Sequence, residues 1–155
     1  MNQSKKAFTM MELIFVIVII GILTAVAVPR FAATRDDAEI TKARVTVASI
    51  RNALSMERQK RILRGEFGVI TALTNDSKVF GTFKAKNKLG VEEDTGHNVL
   101  EYSMNSSSEQ GQWEYIASSK QYVYHGLSDV AFKVDNSGKF VCVDELADNC
   151  KQLTN

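Results

Sequence analysis

The sequence has 155 residues but only one proline, one tryptophan, two cysteines and two histidines, and its charges nearly cancel. Each shortage excludes something. Two cysteines and two histidines are too few for a zinc ribbon or a disulfide scaffold. With 19 Lys and Arg against 18 Asp and Glu, the net charge is +1. That argues against a general binder of nucleic acids or acidic polymers, which carries a strong basic excess. One proline and 45% hydrophobic residues argue against a disordered chain. There is no phosphate-cradling glycine motif, and no carboxylates are paired at a suggestive spacing. Nothing groups His97 or His125 with a nucleophile, and both read as surface or strand residues. No enzyme activity, cofactor, metal or small-molecule substrate is expected. The length suits one domain.

What the sequence does have is a concentrated apolar block that the mean hydropathy of −0.13 averages away. Met1 to Ala7 is short and polar, with Lys5 and Lys6 near its end and no acid. Phe8 to Val28 is almost wholly apolar, and its one charge is Glu12. Those 21 residues would form a helix roughly 30 Å long, enough to cross a bilayer core. The lysines before the run place the N-terminus in the cytoplasm and the remainder outside. An ordinary secretory signal or signal anchor accounts for the run but leaves Glu12 unexplained. An acid inside a membrane segment is costly, so it points to a function and to a partner. The run itself holds no cation. A cut after Ala7 would create one, a free α-amine on Phe8. That ammonium would pair with Glu12 of the same chain or of a neighbour, each offsetting the other's desolvation.

The segment Lys5-Lys6-Ala7-Phe8-Thr9-Met10-Met11-Glu12-Leu13, with its apolar run and Pro29, resembles the prepilin-type N-terminus of type IV pilins and type II secretion pseudopilins. The resemblance implies cleavage between Ala7 and Phe8 by a membrane prepilin peptidase, and N-methylation of Phe8. It implies that Glu12 recognises the Phe8 amine of an adjacent subunit during filament assembly. Gly21 and Pro29 match the family's helix-softening positions. Two departures stand out: Ala7 replaces the usual glycine before the cut, and Met10 and Met11 replace the usual Leu or Ile. All three keep the size or apolarity of what they replace. The implied partners are further copies in a helical filament, the peptidase, an inner-membrane assembly platform, other minor pilins or pseudopilins, and the lipid bilayer before assembly.

Beyond Pro29, Ile40, Ala43, Val47, Ile50 and Leu54 recur at alternating spacings of three and four, a narrow apolar stripe on a helix. Gly65 supplies a stop, and Arg58, Lys60, Arg61 and Arg64 crowd the last turns, where cations complement the helix dipole. This basic run reads as a solvated helix end. Residues 65 to 112 read as a variable connection with at most short elements. Residues 113–124 read as a hairpin, and Asp135-Asn136-Ser137-Gly138 as the turn of a second one. The resemblance to secretion pseudopilins, some of which bind calcium in this region, implies a calcium loop as the alternative, with Asp135 here and Asp144, Glu145 and Asp148 farther on. Three or four antiparallel strands covered by the stripe make an α+β fold, a long N-terminal helix packed on a small antiparallel sheet, which is also the architecture the resemblance implies. The expected divisions are a leader at 1–7, a transmembrane and assembly helix at 8–29, an amphipathic half at 30–64 and an extracytoplasmic globular domain at 65–155.

Cys142 and Cys150 enclose seven residues. Outside the cytoplasm disulfides persist, and closing this loop would stabilise the fold by roughly 2.5 kcal/mol in the chain-entropy model. The pair resembles the disulfide-bounded C-terminal loop of many type IV pilins. Two free buried thiols are the alternative. The expected function is therefore a structural filament subunit, with the type II secretion pseudopilus preferred for the modest length and single small sheet. A type IV pilin for adhesion, motility or DNA uptake is the alternative, towards which the cysteines lean. A signal-anchored periplasmic enzyme or binding protein is the remaining one. The expected location is the inner membrane, single-pass with a periplasmic C-terminal domain, and then a periplasmic or surface filament.

Overall fold

A computed structural model describes residues 8–75 and 78–154. One helix, α1 (Met10–Leu63), runs through the apolar block, through Pro29 and on through the amphipathic stretch. Eight strands and a short C-terminal helix follow: β1 (Ile70–Asn75), β2 (Lys78–Lys86), β3 (Glu92–Asn98), β4 (Met104–Asn105), β5 (Trp113–Ile116), β6 (Gln121–Tyr124), β7 (Val130–Val134), β8 (Phe140–Cys142) and α2 (Asp148–Thr154). The architecture is α+β and pilin-like. The chain divides into two units at Ala38 and Glu39.

Within the first unit the described chain is helix from Met10 onward. Its window of highest hydropathy is long and apolar enough to cross a membrane, and none of it is buried within the chain. Its backbone bonds close inside the helix except at Pro29, which has no N–H to offer the Ala25 carbonyl. The one hydroxyl in its middle, Thr24, donates to the Ile20 carbonyl at 2.7 Å, so it carries no unmet donor into an apolar medium.

In the second unit, Ala43, Val47, Ile50 and Leu54 of α1 are buried in one core with both sheets and with Cys150 and Leu153 of α2. α1 ends where the sequence predicts. Gly65 takes a positive φ of 74°, its N–H donates to Ile62 O at 2.9 Å, and Glu66 N–H donates to Arg61 O at 2.9 Å. These are the two bonds of a Schellman cap, and a glycine supplies its left-handed residue without strain. Gly68 is required for another reason: a Cβ there would lie 1.7 Å from the Lys86 carbonyl oxygen.

The region read as a variable connection is a second sheet. β1, β2 and β3 pair antiparallel in that order, and β4 pairs with β2. β3 and β4 meet different stretches of β2, at Thr82–Lys86 and at Lys78–Val79. The other sheet is the meander β5-β6-β7-β8, with registers that include Tyr122↔Phe132 and Phe132↔Cys142. Among the described residues there are thus two four-stranded sheets rather than one small one.

Phe80 joins the two sheets. The β1–β2 register slips where Phe80 sits, and Phe80 has a φ of 56°, a left-handed conformation that is strained for a bulky residue. The turn drives its ring among the aromatics of the other sheet. It lies 5.1 Å from Trp113, 5.3 Å from Tyr122 and 5.8 Å from Phe140 between ring centres. Full burial of the ring offsets the backbone strain. Tyr122 adds a polar tie: its hydroxyl accepts the Leu73 N–H at 2.7 Å, and burial pushes its phenol well above the ordinary value. Replacing Tyr122 with Phe keeps the ring and orphans that amide. The expected loss is about 1–3 kcal/mol of stability, read by chemical or thermal unfolding of residues 39–155 within the whole protein. An unchanged unfolding midpoint would show that the bond contributes nothing.

Candidate functional site

The predicted processing site straddles the edge of the described residues. Ala7 lies outside them. Phe8 is 77% exposed and precedes α1. Thr9 is the N-cap: its carbonyl accepts the Leu13 N–H at 3.1 Å and its hydroxyl accepts the Glu12 N–H at 3.2 Å. Glu12 is therefore the third residue of the helix, in the first turn, where the helix dipole favours an anion. Thr9-Met10-Met11-Glu12 is the spacing of a capping box. That signal is legible in the sequence, where Thr9 stands three residues before Glu12. Glu12 thus stands at the start of α1 on an exposed apolar surface that includes Phe8, Met11 and Phe15.

Gly21 lies in the middle of the apolar run, and among the described residues a Cβ built there would meet nothing within 4 Å beyond its own stretch of helix. No crowding within the chain demands a glycine at that place. Pro29 sits inside α1, where it lacks the N–H that the Ala25 carbonyl would otherwise receive. The predicted cysteines are joined: Cys142 and Cys150 form a disulfide with Cα atoms 6.3 Å apart. It pins the start of α2 to the end of β8 and encloses an exposed loop containing Asp144, Glu145 and Leu146.

The basic end of α1 is not simply solvated, which corrects the sequence reading. The buried stripe continues past Leu54 into Glu57, which is 2% exposed, and Arg61, which is 7% exposed. The Glu57 carboxylate takes a hydrogen bond from Arg64 Nη2 at 3.4 Å and pairs with His97 Nδ1 at 2.9 Å. Arg61 pairs through Nη1 with Glu66 at 3.3 Å and donates through Nη2 to the Lys86 carbonyl at 3.3 Å. Buried charges persist only when paired in this way. His97 lies 40 residues beyond Glu57, a juxtaposition that no local pattern announces.

The acidic turn is used up by the backbone. Asp135 Oδ1 accepts the N–H groups of Ser137 at 2.9 Å and Lys139 at 2.8 Å. The Lys139 N–H is the main reason that its carboxyl titrates below the ordinary value. This is the hairpin-turn reading. Among the described residues no group of three or more His, Cys, Asp or Glu is arranged to hold a metal ion.

His125, just after β6, sits between two acids. Its Nε2 lies 2.9 Å from Glu114 Oε2 and its Nδ1 lies 3.1 Å from Asp129 Oδ1. Burial, the largest single influence, pushes the imidazole down. The hydrogen bonds and charges of Glu114 and Asp129 together outweigh it, so His125 titrates above the ordinary histidine value.

Comparison with known proteins bears on the N-terminus. Residues 2–28 match the family model of the prokaryotic N-terminal methylation motif. Over 51 residues the chain is 49% identical to the type IV narrow pilus major component PilA5 of Thermus thermophilus, covering 33% of this chain and 44% of that protein. Over 55 residues it is 37% identical to the type II secretion system core protein G of Klebsiella michiganensis, covering 36% and 39%. Over 76 residues it is 32% identical to a fimbrial protein of Pseudomonas aeruginosa, covering 49% and 47%. The chain spans less than half the length of each of these relatives. No solved structure matches it significantly.

Because the folded His125 imidazole is held above its ordinary value of about 6.5, its stabilising contribution is complete below that pH and is lost as pH rises through the folded value. The unfolding temperature of the wild type should therefore fall more steeply than that of His125→Gln as pH rises above about 6.5. Parallel curves for the two proteins would show that the clamp does not contribute.

Proposed function

We propose that this chain, a member of the type IV pilin and pseudopilin family, is a structural filament subunit rather than an enzyme. The single observation that carries the reading is the N-terminal half of α1. It is apolar all round and uncovered by the described residues of its own chain, and it opens with an acid inside the stretch that matches the methylation motif. Such a surface needs a bilayer or a bundle of like helices. The leader, residues 1–7, is cut off by a prepilin peptidase after Ala7, which leaves 17 basic and 18 acidic residues. Phe8 acquires a free amine, which the same enzyme methylates. In the precursor that nitrogen is an uncharged amide, so cleavage switches on the cation that Glu12 needs.

Residues 8–29 then serve twice. In the inner membrane they span, with the N-terminus cytoplasmic and the domain at 65–155 periplasmic. In the filament they form the packed core, with Glu12 of one copy on the Phe8 amine of its neighbour, an ion pair that fixes register where an unpaired charge would be costly. Gly21 and Pro29 soften the helix, one by removing a side chain and the other by removing a hydrogen bond. The amphipathic half, from residue 30 to 64, covers the sheets. An assembly platform, and minor pilins or pseudopilins, complete the machine.

The sequence favours a type II secretion pseudopilus, for modest length and a single small sheet. The second sheet removes one of those two grounds. The closed disulfide loop favours the second reading, a type IV pilus subunit. The relatives include both kinds.

Mass spectrometry of the mature protein should find a chain that begins at N-methylated Phe8. An intact Met1, or a start near Val28, would sink the prepilin reading. In a deletion strain, wild-type protein should restore either secretion of folded proteins or surface pili, and which one returns identifies the system. Glu12→Ala should still insert in the membrane yet restore neither. Normal filaments from that variant would remove the role given to Glu12.

A further inference from the structure

The arginines of α1 order the C-terminal chain along the helix. Arg58 donates to the Ser137 carbonyl at 3.4 Å, Arg51 to the Phe140 carbonyl at 3.2 Å, and Arg44 to the Gln152 carbonyl at 2.9 and 2.7 Å. At ~1.5 Å of rise per residue, Arg58 and Arg44 stand about 21 Å apart along the axis. The β7–β8 turn therefore lies at the C-terminal end of α1. The disulfide loop leaves β8 at the opposite end of that hairpin, on the way to α2 beside Arg44.

These two ends carry opposite chemistry. At the α1 terminus a groove of about 110 Å³ is lined by Arg58, Arg61, Ile62, Phe67, Val69 and Gly138. Phe67 and Ile62 are exposed at its edge, as are Arg58 and, nearby, Lys60. Its acid, Glu66, is engaged by Arg61 and Arg64. At the other end the disulfide loop holds out Leu146, 82% exposed, between exposed Glu145 and exposed Asp148, with exposed Asp144 beside them. Only Asp148 of these acids meets a cation, Lys151 at 3.3 Å, among the described residues. An exposed leucine flanked by acids matches an exposed apolar groove flanked by cations. The two lie towards opposite ends of the stretch of α1 between Arg44 and Arg58, about 21 Å long, and so face different neighbours.

We infer that the disulfide loop of one copy docks on the α1-terminal groove of the next, with Leu146 on the Ile62–Phe67 surface and Asp144 and Glu145 facing Arg58 and Lys60. The contact is head-to-tail between unlike surfaces, the kind that propagates without closing. Opposite charges select the register, and the apolar centre excludes water. The disulfide holds the loop in shape beforehand, so less ordering is lost on docking. The inference rests on the filament reading above and adds a second contact, remote from Glu12, between the globular parts.

The test is photo-crosslinking in the full chain, expressed in its native host, with a benzophenone amino acid in place of Leu146. Peptide mapping should join position 146 to residues 58–69 of a second copy. Glu145→Lys should lower the yield of that crosslink about fivefold, on the scale of an exposed ion pair, and Lys60→Glu should restore it. A reciprocal probe at Phe67 reports the same contact from the other side if the Leu146 variant fails to assemble. Non-reducing mass mapping confirms that Cys142–Cys150 stays closed in both. Filaments that form with crosslinks elsewhere, or with none, overturn the inference while leaving the filament reading intact. Absence of any filament from the unsubstituted chain defeats the filament reading, and this contact with it.

Discussion

The constraint on the first unit is an apolar helix surface that none of the described residues covers. Between Phe8 and Val28 no side chain is buried, although nearly all are hydrophobic. Water excludes such a surface, which suits lipid tails or a bundle of apolar helices. A helix suits both media, because its peptide groups are satisfied internally, and Thr24 closes its own hydroxyl on the Ile20 carbonyl. Glu12 is the one group the helix leaves charged in that stretch. It begins as a well-placed anion in the first helical turn, and cleavage at Phe8 would bring a cation within the same region.

The second unit solves a different problem with the same helix. Its stripe from Ala43 to Leu54 is narrow, so it covers the sheets only because they pack around it in one core. Phe80 ties the first sheet to the second at the cost of a left-handed backbone. Where the stripe reaches the domain's edge it turns ionic: Glu57 and Arg61 replace aliphatics, and Arg64, Glu66 and His97 complete their pairing. The α1 arginines then bind carbonyls of the C-terminal chain in sequence order, so one helix face sets where the β7–β8 turn and α2 lie. That ordering places the acidic disulfide loop and the basic groove at opposite ends.

Some of this was plain from residue order. The apolar run, the acid at position 12, the stripe beyond Pro29, the Gly65 stop, the last two hairpins and the cysteine pair all rest on local patterns with a fixed period or a fixed compartment. The first sheet was not plain. β3 reads Glu92-Glu93-Asp94-Thr95-Gly96-His97-Asn98, polar throughout, with no apolar alternation to announce a strand. It pairs as an edge of β2, where side-chain burial is not needed. β2 itself breaks its alternation at Phe80, where the register slips. The burial of Glu57 and Arg61 was hidden for a related reason: charged residues on a helix read as solvated until their distant partners are known.

The sequence alone determined that this chain opens with a long apolar helix carrying one acid and continues into an α+β fold. Helix period, run length and the position of a single acid are properties of neighbouring residues, and neighbours are what a sequence lists. Only the tertiary structure decided that there are two sheets, that Glu57 is buried against His97, and that the C-terminal chain is ordered along α1. Those outcomes depend on contacts across tens of residues, where loop closure, register and charge pairing are set by what the rest of the fold brings alongside.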